Sequence, residues 1–271
     1  MKCFVCNGKM APYFVKKHPS GLVSNYYRCS ECGLTIDKTI YEMSEQERVN
    51  LNNFNHSTYQ GMDFNSVDPK WIPRLEKQSE FINQLLILDI ISSDMTIVDY
   101  GCGDGKLAKF VNEKCNMNLI SNYDKYMKIS DVSYLTDDDM SPNMADMVIT
   151  CSVWEHLIGK NDVENIYLYL KEDGIFCIHT LIAEEIPKDD DWFYINTNGA
   201  HCTLWTNDAM KIWFNTHGFV GCIYHLESKM WLLFKSSEKF NKLKNSMEKI
   251  SGTVAVSNEF VDYWKQKPYR K

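Results

Sequence analysis

Two residue patterns in this chain are spaced for chemistry. Cys3-x-x-Cys6 and Cys29-x-x-Cys32 set four thiols in two pairs, 22 residues apart. Four thiolates can surround Zn²⁺ tetrahedrally, which makes a closed structural site with no open position for catalysis. Glycine follows the second cysteine of each pair, at Cys6-Asn7-Gly8 and Cys32-Gly33, where a knuckle needs a permissive backbone. Cys-x-x-Cys also serves redox chemistry, but two pairs at this spacing, with no βαβ pattern around either, favour a metal. The second pattern is Ile97-Val98-Asp99-Tyr100-Gly101-Cys102-Gly103-Asp104-Gly105-Lys106-Leu107. It reads as a strand, a tight turn and the start of a helix. Glycines there let a ligand lie close to the backbone, and the helix N-terminus offers N–H groups. Asp99 stands where it can accept hydrogen bonds from a cationic or hydroxylated ligand. Asp124, 25 residues further on, ends a second strand, Leu119–Asp124, where an acid can bind two ribose hydroxyls. The plain alternatives are a glycine-rich turn in an ordinary α/β domain and a surface carboxylate.

Three histidines are candidates for moving a proton. His201 stands in a polar loop, Asn198-Gly199-Ala200-His201, and its neutral imidazole could take a proton from an attacking hydroxyl. The alternative is a histidine that only fixes the loop. His156 lies in Glu155-His156-Leu157, and His179 is placed just past the fifth strand. Trp192, Phe193, Tyr194 and Trp205 could wall an acceptor pocket, although aromatics at this density more often fill a core.

These residues need elements to hold them. Tyr13–Val15 and Tyr26–Arg28 read as short strands around Pro19-Ser20-Gly21. Met43–Arg48 suggests a short capped helix, and Leu75–Ile91 an amphipathic one. From there the pattern alternates strand and helix, which implies a mainly parallel sheet. Val132–Leu135 is the expected third strand, Asp146–Ser152 the fourth and Ile175–Ile178 the fifth. Cys222–Leu226 and Lys229–Phe234 read as closing antiparallel strands. Asp137-Asp138-Asp139 reads as a solvated loop, residues 236–250 as a lysine-rich helix and Lys265–Lys271 as a basic tail.

Several blocks carry a family resemblance. The cysteine pairs with their intervening strands resemble a zinc ribbon. The glycine turn resembles motif I of class I S-adenosylmethionine-dependent methyltransferases more than a nicotinamide site, because the third glycine of that fingerprint would fall at Lys106. The strand opened by Asp146 that runs into Glu155-His156-Leu157 is similar to that family's fourth block. Leu168–Ile178 resembles the turn into its fifth strand, with Glu172-Asp173 in place of proline-glycine. The resemblance spans about residues 70–235. It implies an α/β fold, a Rossmann-like class I methyltransferase sheet with helices on both faces, plus the small N-terminal zinc-ribbon module. It also implies S-adenosyl-L-methionine bound by Asp99, Tyr100, Gly101, Cys102, Gly103, Asp124 and Ser152. Arg74 and Tyr59 could reach the methionine carboxylate. Asp191–Tyr194, Gly199-x-His201 and His217-Gly218-Phe219 are similar to a bacterial branch that methylates sugars and small metabolites, with His201 as first choice of base and His156 as second.

The expected boundaries are 1–40 for the ribbon, 41–92 for a connecting helical region, 93–235 for the methyltransferase core and 236–271 for a helical tail. Composition is ordinary for a soluble globular protein, with 44% hydrophobic residues and 24% charged. The net charge of −7 argues against a large nucleic-acid surface, although residues 1–40 carry six Lys/Arg against two Asp/Glu. No apolar run approaches a membrane span, and scattered thiols fit a reducing cytoplasm. The reading is a cytoplasmic methyltransferase with structural Zn²⁺ at Cys3, Cys6, Cys29 and Cys32. Its expected partner is a small-molecule acceptor, a sugar or nucleotide-linked precursor of a surface glycan, methylated at oxygen. The alternatives are a zinc-ribbon RNA methyltransferase and a non-catalytic S-adenosylmethionine-binding protein.

Overall fold

The computed structural model describes residues 1–57 and 70–263. Tyr59 and the Lys265–Lys271 tail lie outside the described residues. The chain divides into two compact units. Met1–Gln60, Ser152–Asn165 and Thr180–Thr216 form the first, and Gly61–Cys151, Ile166–His179 and His217–Lys271 the second.

The first unit is built on a five-stranded sheet. Its strands run in the order Met10–Lys17, Val23–Cys29, Thr35–Asp37, Thr203–Thr206 and Ile182–Ala183. The first two make the hairpin expected around Pro19-Ser20-Gly21, paired from Met10↔Cys29 to Lys17↔Val23. Thr35 then pairs with Leu204 and Ile36 with Thr203, so the cysteine-bearing strands continue into a segment some 170 residues later in the chain. All four residues of Thr203–Thr206 are buried, which explains their β-branched and aromatic character. Tyr26, Ala183, Ile186, Tyr194, Ile195 and Leu204 form the local core. Trp205 meets Phe4 and Trp154 edge-on, and Trp154 meets Trp213 in the same way. Trp205 also donates its indole N–H to the Trp154 carbonyl at 2.9 Å. It is therefore a core residue with a satisfied polar atom. The capped helix forms as Glu45–Ser57: the backbone N–H of Ser44 donates to the Glu47 carboxylate at 2.8 Å, and that of Glu47 donates back to the Ser44 hydroxyl at 3.3 Å.

The second unit holds a seven-stranded sheet. The order is Val254–Ser257, Gly221–His225, Met230–Phe234, Leu170–His179, Ala145–Cys151, Ile97–Tyr100 and Ile120–Tyr123. The last four strands run parallel, and the first three join antiparallel. This is the Rossmann-like α/β sheet that the sequence pattern implied. Helix Trp71–Ile87 buries Leu75, Ser79, Phe81, Ile82 and Leu85, and its apolar residues share one core cluster with Met147, Ile149 and Leu232. Among the described residues no helix is long and apolar enough to cross a membrane.

Three local expectations change. Val132–Leu135 forms no strand; only a single bridge joins Tyr134 to Asn122. Val132 and Tyr134 are merely half-buried beside the four-residue edge strand, so β-propensity finds no face to cover. The stretch from Leu170 to Gly174 is part of a continuous strand rather than a turn before one. The irregularity sits in the register, where Ala145 pairs with Leu170 but Met147 pairs with Ile175, so the extra residues bulge. His179 ends that strand instead of following it, and its Nδ1 bonds the Lys229 carbonyl at 2.9 Å.

Thr206 joins two parts of the first unit. Its buried hydroxyl donates to the Cys32 carbonyl and accepts from the N–H of Ala209 in the first turn of helix Asn207–Thr216. Thr206→Val keeps the shape and removes both bonds. Unfolding in urea should show a loss of about 1–3 kcal/mol, the cost of leaving such buried groups unpaired.

Candidate functional site

The four cysteines cluster as their spacing predicts. Sγ atoms of Cys3 and Cys32 lie 3.6 Å apart, Cys6 and Cys29 3.4 Å, and Cys6 and Cys32 3.5 Å. No disulfide joins them. Around a tetrahedral zinc with bonds of about 2.3 Å, neighbouring sulfurs stand about 3.8 Å apart, so the donor set fits that ion with little movement. The knuckle glycines divide their work. The left-handed turn after Cys6 falls on Asn7, at φ 62°, while Gly8 keeps space open. A Cβ on Gly8 would come within 2.9 Å of the Cys29 sulfur. The N–H of Gly8 donates to the Cys6 sulfur at 3.4 Å.

In the second unit the glycine turn stands between strands Ile97–Tyr100 and Ile120–Tyr123 and helix Lys106–Cys115. Gly101 and Cys102 donate their N–H groups to the Tyr123 carbonyl at 2.8 and 3.2 Å. Gly103 has a positive φ of 58°, and an added Cβ would meet only the Met127 sulfur, at 3.8 Å. Its backbone therefore leaves room for a ligand. Asp124 accepts from the N–H groups of Gly103, Tyr126 and Met127, each at 2.8 Å. Three such bonds orient the carboxylate and leave lone pairs for further donors. Asp99 is 1% exposed, and its Oδ1 has no hydrogen-bond partner among the described residues. Burial, with the charge of Asp124 added, pushes its carboxyl up to about 7. A cation placed beside it would remove that penalty.

This turn differs from a phosphate site. Asp104 accepts from the N–H of Lys106 at the helix start and pairs with its ammonium group, so a carboxylate already serves that N-terminus. The ammonium of Lys106 also lies 4.9 Å from the Trp71 ring centre. With Asp99, Asp104 and Asp124 in and around one turn, the chemistry favours a cationic, hydroxylated ligand over a pyrophosphate. Tyr100 packs against Tyr123 and Tyr169, with ring centres 4.9 and 6.0 Å apart. Burial pushes the Cys102 thiol up, which keeps it protonated. Arg74 is half-buried in the first turn of helix Trp71–Ile87 of this unit. Ser152 begins the second segment of the first unit, in a left-handed conformation at φ 57°.

His156 and His201 come together in the first unit, with ring centres 5.2 Å apart at 71°. His156 ends a single 3₁₀ turn, Trp154–His156, and its Nδ1 bonds the Ala200 carbonyl at 2.8 Å. The Nδ1 of His201 bonds the Tyr194 carbonyl at 2.6 Å. A carbonyl only accepts, so each Nδ1 carries a proton, and in the neutral form of either ring the lone pair falls on Nε2. Tyr26 donates its hydroxyl to the His201 carbonyl at 3.0 Å, which ties this loop to the hairpin of the cysteine module. Glu155 adds a functional group that its sequence context does not single out. It is 3% exposed and accepts from the Thr180 hydroxyl at 2.7 Å. Burial raises its carboxyl, but the positive charge of His156 and His201 in their protonated form, with the Thr180 hydroxyl, outweighs that and holds it below the usual carboxylate range. The Glu-His pair was visible in the chain; its contact with His201 depends on a loop 46 residues away. Of the proposed aromatic wall, Tyr194 is buried and Phe193 is 65% exposed.

Asp99→Asn tests the burial argument. A carboxyl whose folded pKa is raised to about 7 favours folding below its unfolded value near 4, and that benefit is lost as pH rises through 7. The ligand-free variant should therefore be more stable than the parent at pH 8, by on the order of 1–4 kcal/mol, with the gap closing towards pH 4. Thermal unfolding across that range measures it.

A family model described as a methyltransferase domain matches residues 72–222, more than half of the chain. No curated protein matches. Among solved structures, the magnesium protoporphyrin IX methyltransferase of Synechocystis PCC 6803, with bound SAH, is 14% identical. That match covers 74% of this chain and 100% of the other, with a TM-score of 0.45. The plantazolicin methyltransferase BpumL, in complex with an analogue and SAH, is 11% identical over 81% of this chain and 93% of its own, with a TM-score of 0.48. A SAM-dependent methyltransferase from Aquifex aeolicus is 11% identical over 59% and 91%, with a TM-score of 0.37. On the extent of the family match, the chain belongs to the methyltransferase-domain family, the class I S-adenosylmethionine-dependent enzymes.

Proposed function

We propose that this methyltransferase acts on the hydroxyl of a small-molecule acceptor, a sugar, sugar nucleotide or other precursor of a surface glycan, in the cytoplasm. The observation that carries the donor side is the buried Asp99 carboxylate, short of partners beside Asp124. The methionine ammonium group answers the need of Asp99, and the ribose hydroxyls have lone pairs of Asp124 to donate to. Tyr100, Gly101, Cys102 and Gly103 line the backbone path, and Arg74 and Ser152 are the further cofactor contacts in this reading. Cys3, Cys6, Cys29 and Cys32 hold a structural Zn²⁺, which would supply folding energy to the first unit.

On the acceptor side, His201 and His156 promote loss of the hydroxyl proton. The acceptor oxygen forms its bond to the methyl carbon as the bond from that carbon to the sulfonium sulfur breaks, and S-adenosylhomocysteine leaves. Positioning supplies much of such a rate. The charge pattern supports a small acceptor over RNA. Lys16 is spent on the Asp190 carbonyl and Asp191, Arg28 pairs with Glu185, and Lys38 pairs with Glu42, so half of the module's six basic residues are engaged within the first unit.

Calorimetry with S-adenosylhomocysteine tests the donor reading. Asp124→Ala should weaken binding by about 1–3 kcal/mol, and Gly103→Val should abolish it by filling the open side of the turn. Wild-type affinity in both variants would remove this turn from the site. For the acceptor, His201→Ala should lower turnover on a nucleotide sugar by about 10²–10⁴-fold with S-adenosylhomocysteine affinity nearly unchanged. Elemental analysis should find zinc in the parent protein and about one equivalent less in a Cys29→Ser, Cys32→Ser double variant.

A further inference from the structure

We propose that Glu155, His156 and His201 form a metal site of their own, separate from the cysteine cluster, for a divalent transition ion of the Zn²⁺ or Co²⁺ type. The inference deepens the acceptor-side reading of the two histidines and rests on it for its chemical role, though not for its test. One ligand atom from each of the three residues lies within 4.8 Å of the others. Bonds of about 2.0–2.2 Å bring such atoms about 3–3.5 Å apart, a movement that small side-chain rotations supply.

The surroundings are those that metal-binding histidines need. Each Nδ1 is held by a backbone carbonyl, Ala200 for His156 and Tyr194 for His201, which sets the tautomer and leaves Nε2 as the basic atom. The Thr180 hydroxyl holds one oxygen of Glu155, and Tyr194 in turn bonds Thr180 at 3.1 Å. Glu155 is a carboxylate in the interior, and a cation offsets the cost of burying it. Two imidazoles and one carboxylate suit zinc and its neighbours rather than Mg²⁺ or Ca²⁺, which take oxygen ligands. Cys202 does not join the set. Its thiol donates to the carbonyls of Glu155 and His156, and burial keeps it protonated.

Three protein ligands leave one tetrahedral position for an oxygen from solvent or acceptor. Of the three ligands His156 alone borders a small pocket, with Ile40, Arg48, Leu51, Ala200 and Cys202, and its ≈ 20 Å³ of open space holds about one water. An ion here would lower the pKa of a coordinated hydroxyl, so that its proton leaves to solvent at neutral pH. The class of acceptor implied is one that offers a hydroxyl oxygen.

The test is a Co²⁺ titration of the full chain with its cysteines already loaded with zinc, followed by visible absorption. We expect about one further equivalent to bind, with d–d bands and no thiolate-to-cobalt charge transfer. Glu155→Gln, His156→Gln and His201→Gln should each weaken that uptake at least 10-fold, and Thr180→Val by about 10–100-fold, the usual effect of losing a ligand's support. Absence of thiolate-free bands in the parent protein, or an unchanged titration in Glu155→Gln, overturns the site. The parent titration decides the matter if a variant fails to fold. Lost turnover in His201→Ala without cobalt uptake by the parent would sink the metal and keep the histidine role; cobalt uptake by the parent with full turnover in His201→Ala would keep the metal and sink the histidine role.

Discussion

A carboxylate buried with an unanswered oxygen is the constraint around which the second unit is arranged. Asp99 is the penultimate residue of a parallel strand that is paired on both sides, with Asn122 and Ile149 beside it. An uncompensated charge there opposes folding, and the turn adds to the burden by placing Asp124 nearby. The protein therefore keeps a position that a cation improves. The turn's glycines and the Tyr123 carbonyl hold the backbone in a shape that keeps this position accessible. Binding energy and native strain are here the same quantity viewed with and without ligand.

The first unit solves a different problem with similar means. Four thiols packed at 3.4–3.6 Å contacts cannot all ionise unless a cation joins them. Their module is not an appendage. Its strand Thr35–Asp37 pairs with Thr203–Thr206, the N–H of Asp37 donates to the Cys202 carbonyl at 2.7 Å, and Tyr26 reaches the His201 carbonyl. The backbone from the His201 carbonyl onward is thus anchored in the cysteine-bearing sheet. Loss of order at the cysteines would be felt at His201 through three defined contacts, without any need for the metal to touch substrate.

Local chemistry was legible in the chain because it is written in short spacings. Two cysteine pairs, alternate glycines after a β-branched run, and an acid after each of two strands were enough to locate the thiol cluster and the ligand turn. The helix expected over Leu75–Ile91 was legible in its buried residues, which recur at helical intervals, but it runs from Trp71 to Ile87, four residues earlier at each end. Val132–Leu135 misled for the complementary reason. Its β-branched pattern is a local property, whereas a strand exists only when a neighbour offers an edge and a face.

What the sequence by itself determined was the set of chemical groups and the elements that carry them. The tertiary structure alone decided which of those groups meet. Glu155 became a partner of His156 and His201 only when the loop before Thr203 folded back, fixed by Tyr194, Ala200 and Tyr26. The union of residues 10–37 with 182–206 in one sheet was likewise decided there. Hydrogen-bond pairing between distant strands depends on register and burial, which no window of neighbouring residues contains.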